Sequence, residues 1–272
     1  MNIKPLCNHK SMLGEGPVWD AANHTILWVD IMGCAIHALN MKSHALRSIS
    51  TTSMIGSFAL CNDGNIVAAL QEGFVFININ TGEINAIGDP EKHLKGNRFN
   101  DGKTDPAGRF WAGSMSLSGE KGTGNLYMID EQLQVKKQIE NVSISNGLCW
   151  SLDHRFFYYI DTPTMEVVRY DYDNATGEIS NKTTVISIPA KEGYPDGMTI
   201  DSEGIGREFE DRAKMMGAAM PEPQSISHSL DAEAFKFVAD TLVEEAGVIP
   251  MLHRLCVAPI MDGNTIRGVI VE

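Results

Sequence analysis

Four residues with side-chain oxygens stand immediately before glycines that recur along this chain. They are Glu15 before Gly16, Asp101 before Gly102, Asn146 before Gly147 and Asp196 before Gly197. A fifth glycine of the series, Gly56, follows Ile55. From Gly16 to Gly197 the intervals are 40, 46, 45 and 50 residues. If equivalent positions of a repeat converge in space, Glu15 and Asp196 supply two carboxylates and Asn146 an amide carbonyl. With waters, that set suits a hard divalent cation. The competing reading is local, since Asx before Gly is ordinary turn chemistry. Three such positions at one phase of a repeat favour the cation.

The repeat must be what positions them. After each glycine come alternating apolar residues, a turn rich in Asp, Asn, Ser and Gly, and usually a second apolar strand. Gly16-Pro17-Val18-Trp19-Asp20 is followed by Ile26 to Asp30, and Leu148 and Trp150 are followed by Phe156 to Asp161. Outer strands are expected over His37 to Ser50, Gly73 to Asn78, Ile84 to Gly88, Asn125 to Asp130, Gln134 to Ile139, Val167 to Asp171 and Thr183 to Ile188. A period of about 40–50 residues with about four short strands per unit is the pattern of a β-propeller blade. Five aligned glycines favour it over a β-sandwich of irregular hairpins. In a propeller the first strand of each blade is innermost and starts at the mouth of the central channel, so residues at the repeat heads meet there. Gly197 to Asp201 is expected to open a fifth blade.

The remaining composition narrows the function classes. A formal net charge of −13 lacks the basic footprint that a nucleic-acid surface needs. No apolar run nears a membrane span, and the start carries no signal-like segment. Five scattered cysteines without a Cys-x-x-Cys pair fit free thiols in a reducing cytoplasm. Eight histidines show no ligand spacing, which points to surface or structural roles. There is no Gly-x-Ser-x-Gly elbow for a serine hydrolase. Arg98, Asn100 and Glu120, in or after the third repeat head, are polar groups that could hold a hydroxylated ligand; exposed loop charge is the default for Glu120.

Four motifs together carry a resemblance: Leu13-Gly14-Glu15-Gly16-Pro17-Val18-Trp19, Asn97-Arg98-Phe99-Asn100-Asp101-Gly102-Lys103, Ser145-Asn146-Gly147-Leu148 and Pro195-Asp196-Gly197-Met198. Over residues 4–204 the chain resembles the regucalcin/gluconolactonase (senescence marker protein) family. The resemblance implies a six-bladed, all-β propeller that hydrolyses sugar lactones with one divalent cation, Ca, Zn, Mn or Mg, in its channel. It makes Glu15, Asn146 and Asp196 the metal ligands and Asp196 the proton donor and acceptor. Arg98, Asn100 and Glu120 match the substrate-binding positions, Glu120 in a loop that varies. The implied partner is a small sugar lactone, with neither nucleic acid nor membrane, in the cytoplasm. A calcium-binding regulatory protein without turnover would use the same ligands.

Beyond Gly204 the periodicity becomes helical. Helices are expected over 208–216 and 231–246, then a closing hairpin around Asp262-Gly263-Asn264. Residues 205–272 resemble an internal α+β fragment of a flavin-dependent oxidoreductase, through Gly206-Arg207-Glu208-Phe209 and Thr241 to Gly247. The glycine-rich FAD turn is missing, so no FAD is expected. The chain is therefore expected to be a propeller truncated after the start of blade five (1–204) joined to an α+β tail (205–272). Open blade edges would favour self-association, and a non-functional fusion product is the third reading.

Overall fold

The structure is a computed structural model that describes residues 5–200 and, as backbone, 219–221, 228–230, 256–262 and 265–271. The chain divides into two compact units, residues 7–200 and residues 1–6 with 201–272.

The larger unit contains four antiparallel sheets of four strands each, in chain order. The first holds β1 (Gly14–Asp20), β2 (Thr25–Asp30), β3 (Ala35–Asn40) and β4 (Leu46–Ser50). The second holds β5 (Ile55–Leu60), β6 (Ile66–Leu70), β7 (Gly73–Ile77) and β8 (Ile84–Gly88). The third is β9 (Asn97–Thr104), β10 (Phe110–Ser116), β11 (Gly124–Ile129) and β12 (Val135–Val142). The fourth is β13 (Ser145–Trp150), β14 (Phe156–Asp161), β15 (Glu166–Tyr172) and β16 (Ile179–Ser187). Each sheet is a meander whose strands pair with their chain neighbours, which local turns can enforce. The first strands lie side by side, β5 against β1 and β9, and β13 against β9. That is the arrangement around a propeller axis.

The core lies between successive sheets. Leu27, Ile36 and Ile49 pack on Ile55, Ile66 and Leu70 between the first and second. Phe74 packs on Phe99, Phe110 and Tyr127 between the second and third. Trp111 and Met128 pack on Trp150, Phe157 and Tyr172 between the third and fourth. Strands between two packed sheets are covered on both faces in this way, so β6 and β11 are buried along their whole length. Buried polar clusters tie the sheets at fixed points. Asp105 pairs with Arg109 at 2.7 Å, and the guanidinium reaches Tyr172 Oη and the Asn174 carbonyl on the next sheet. Glu91, in the connector before β9, accepts from Asn97, Ser114, Asn125 and Tyr127.

The fifth blade is where expectation and structure part. Residues 193–200 belong to no strand. A first strand needs an antiparallel second one to form a ladder. Among the described residues none pairs with it, and this backbone instead bonds to β13 and the turn after β14: Asp196 O accepts from Gly147 N at 3.1 Å, and Pro195 O from Thr162 Oγ1 at 2.9 Å. In the smaller unit, β17 (Ala219–Pro221) pairs with β18 (His228–Leu230), a hairpin with no counterpart in the sequence reading. The closing hairpin is present as β19 (Cys256–Asp262) and β20 (Thr265–Val271). The helices expected over 208–216 and 231–246 lie outside the described residues. Among the described residues no helix is long and apolar enough to cross a membrane.

Candidate active site at the heads of the first strands

Every first strand carries a β-bulge at the phase of its glycine. Pairing of β1 with β2 breaks between Glu15 and Val18, and that of β5 with β6 between Ile55 and Ser57. In β9 the break falls across Asn100 and Asp101, between the partners of Ala112 and Ser114. In β13 it falls across Asn146 and Gly147. A bulge bends its strand and re-aims the side chains beside it. Four bulges at one phase turn the strand heads in a common way, which a period-two alternation cannot do.

At Gly56 and Gly147 neighbouring backbone leaves no room for a side chain. A Cβ on Gly56 would lie 2.4 Å from the Phe99 carbonyl oxygen and 2.6 Å from that of Asn100. On Gly147 it would lie 2.6 Å from Asp196 O and 2.7 Å from Met198 N. Gly147 thus seats the segment that carries Asp196.

Asn146 is 5 % exposed. Its Nδ2 donates to Thr162 Oγ1 at 3.0 Å, and that hydroxyl donates in turn to Pro195 O. Among the described residues Asn146 Oδ1 is buried with no hydrogen-bond partner. A buried carbonyl oxygen left unpaired costs about 1–3 kcal/mol, so it calls for a ligand. Glu15 is half-buried on β1, and Asp196 is exposed.

Arg98 and Asp101 link these groups electrostatically. Burial lowers the pKa of Arg98, while Glu15 and Asp101 both favour its charge. The Asp101 carboxyl is pushed up to about 7, first by burial and then by Asp196, against the pull of Lys103 and Arg98. Asp101 Oδ2 also stands 4.0 Å from where a Cβ on Gly197 would be. Arg98 Nη1 donates to Phe99 O and to Asn100 Oδ1, both at 2.8 Å. Asn100 Nδ2 donates to Ser145 O at 2.8 Å and so bridges β9 to β13. Asn100 therefore fixes Arg98 between two sheets.

Glu120 stands apart. It is exposed in the turn between β10 and β11, and its carbonyl accepts from Thr123. Among the described residues no hydrogen bond joins its side chain to the other candidates. Conversely, Asp101 belongs with the site although the sequence reading gave it no role. Its position before Gly102, at the phase of Glu15, Asn146 and Asp196, was the available signal.

This architecture has known counterparts. The chain is 41 % identical over 196 residues to regucalcin of Oryctolagus cuniculus, covering 70 % of this chain and 66 % of that protein. It is 37 % identical over 196 residues to a provisionally named sugar lactone lactonase, YvrE, of Bacillus subtilis (strain 168), covering 72 % and 67 %. Among solved structures, a luciferin-regenerating enzyme aligns with a TM-score of 0.67 at 34 % identity, over 72 % of this chain and 68 % of that one. A calcium-binding protein, regucalcin, from Agrobacterium tumefaciens aligns equally well at 30 % identity, over 71 % and 65 %. The chain thus spans about two thirds of the length of the curated relatives it matches. Residues 13–205 match the SMP-30/Gluconolactonase/LRE-like region, and the chain belongs to that family.

Proposed function

We propose that this protein hydrolyses a sugar lactone at the heads of β1, β9 and β13 with the help of one divalent cation. The observation that carries the reading is the buried, unpartnered Oδ1 of Asn146. It has the chemistry of a hard-cation ligand and sits at the repeat phase of Glu15 and Asp196. Glu15, Asn146 and Asp196 would hold the cation, drawn from Ca, Zn, Mn or Mg. A cation held there supplies Lewis-acid polarisation of a carbonyl. Names within the family and among the relatives support a lactone as substrate.

The chain's own groups fit the remaining work. Hydrolysis adds water to the lactone carbonyl and breaks the ring C–O bond, giving a hydroxy acid. A proton must leave the water and reach the ring oxygen. Asp196 is the proposed proton carrier. Asp101, poised near neutrality beside it, is a second carboxyl able to hold that proton at its Oδ2. Among the described residues Arg98 uses only Nη1 internally, so Nε and Nη2 remain to donate to sugar hydroxyls. Asn100 keeps that guanidinium in place. Glu120 stays a proposed substrate contact, reached only across the β10–β11 turn. Residues 1–204 form the proposed catalytic part and 205–272 a separate α+β segment.

A second reading, cation binding without turnover, is favoured by the same ligand set. One experiment on full-length protein separates them: aldonolactone hydrolysis and thermal melting with each cation in turn. The expected result is cation-dependent hydrolysis and a cation-dependent rise in Tm, both lost in Asn146→Ala, whose cation-free Tm stays near that of the wild type. A rise in Tm without hydrolysis supports the second reading. A cation response unchanged in Asn146→Ala overturns the ligand assignment.

A further inference from the structure

The histidines were unremarkable in sequence, but folding gathers two of them with a carboxylate far from any spacing rule. His9 lies in the segment before β1, Asp30 ends β2, and His37 lies on β3. The Nε2 atoms of His9 and His37 are 3.1 Å apart, and His37 Nε2 is 3.8 Å from Asp30 Oδ2. One ligand atom from each of the three falls within 4.8 Å of the others. Four ligands bound tetrahedrally at about 2.0–2.1 Å stand roughly 3.3 Å apart, so the two shorter separations bracket that value. We propose that His9, Asp30 and His37 form a second cation site, separate from that of Glu15, Asn146 and Asp196. Two imidazoles and one carboxylate suit a borderline transition-metal dication such as Zn²⁺, with water in the open position.

The surroundings hold these groups in the form that a metal needs. Asp30 Oδ1 accepts from Leu13 N and Gly33 N, both at 3.0 Å, and Oδ2 accepts from Met12 N at 2.9 Å. Burial pushes the Asp30 carboxyl up, but these amides and His37 outweigh it, so it is an anion at neutral pH. His37 Nδ1 lies 2.8 Å from Ser48 Oγ. With Nδ1–H donating to that hydroxyl, the Nε2 lone pair is turned toward His9 and Asp30, the usual orienting device around a metal-bound imidazole. Burial first, and then His9, hold His37 below the ordinary imidazole range against the pull of Asp30. Asp30 and His37 are buried while His9 is exposed, so an ion has a way in. Without the ion, a proton between the two Nε2 atoms joins the rings. The cation takes that proton's place, and the proton moves to His9 Nδ1. The occupied site would clamp the segment before β1 onto β2 and β3.

The test uses the full-length Asn146→Ala protein, so that the first site does not contribute, and Co²⁺ as the probe. Co²⁺ should give the visible ligand-field bands of a four-coordinate ion, saturating near one equivalent and displaced by Zn²⁺. The bands should be lost in His9→Gln and in His37→Gln on the same background, and should fade as acid competes with the metal for its ligand atoms. Trp28, whose ring centre is 5.3 Å from that of His37, should lose fluorescence in parallel. Should His37→Gln fail to fold, His9→Gln decides, because it removes an exposed side chain. Absence of the bands, or bands that survive His9→Gln, would overturn the proposal. Neither outcome bears on lactone hydrolysis, which is read separately.

Discussion

The Asp101 carboxyl is the most heavily perturbed acid at the proposed site, and its perturbation carries a cost in stability. Its pKa rises from 3.8 to about 7 because burial and the Asp196 carboxylate both disfavour its charge. Between about pH 4 and 7 the folded protein therefore binds more protons here than the unfolded chain does, and stability falls as pH rises through that window. Asparagine has the same shape and no charge to desolvate. In cation-free protein, Asp101→Asn should raise Tm at pH 8 by at least about 2–4 °C, equivalent to ~1 kcal/mol for a domain of this size. At pH 4 the same substitution should change Tm little, and at both pH values it should depress lactone hydrolysis. Equal melting at pH 8 would show that Asp101 stores no such cost. Asp101, Asn146 and Asp196 could all be found from the sequence because they share a phase. The orphaned oxygen of Asn146 and the raised proton affinity of Asp101 could not, since both arise from burial by other sheets.

At the scale of elements, the bulged heads of β1, β5, β9 and β13 do the positioning. The strands and turns of all four sheets follow from alternation and turn residues in the sequence, because each sheet pairs only with chain neighbours. The bulges do not follow, since a two-to-one register is a property of the pair. Gly147 shows what they require. Its missing Cβ makes room for the backbone of 196–198, at a separation that no side chain could yield to. Gly147→Ala should destabilise the fold by the cost of overpacking, about 1–3 kcal/mol, and so lower Tm. It should also weaken the cation response, because Asp196 loses its seat. Thermal melts with and without cation measure both effects. A variant that melts lower yet keeps the full cation shift would separate Gly147 from the site.

For the whole molecule, the described sheets leave edges that another chain could use. β16 has a partner only on its β15 side among the described residues, and it exposes Val185 and Ile186 (41 % and 55 %). Exposed apolar edge strands template pairing with another copy. Gel filtration of the full-length protein should therefore show species larger than the 29.8 kDa monomer, increasing with concentration. Substituting Ile186 with Lys should shift the profile toward monomer, and a concentration-independent monomer would exclude this edge. By itself the sequence determined the four meanders, the phase of the glycines and the family, since each is written in spacings of a few residues or one repeat. Only the tertiary structure decided that residues 193–200 join no sheet and that Asp101 shares the electrostatics of Asp196. It alone brought His9, Asp30 and His37 together. The physical reason is the same throughout: ladders and turns are local, whereas burial, charge coupling and ligand convergence depend on which distant strands come to lie against one another.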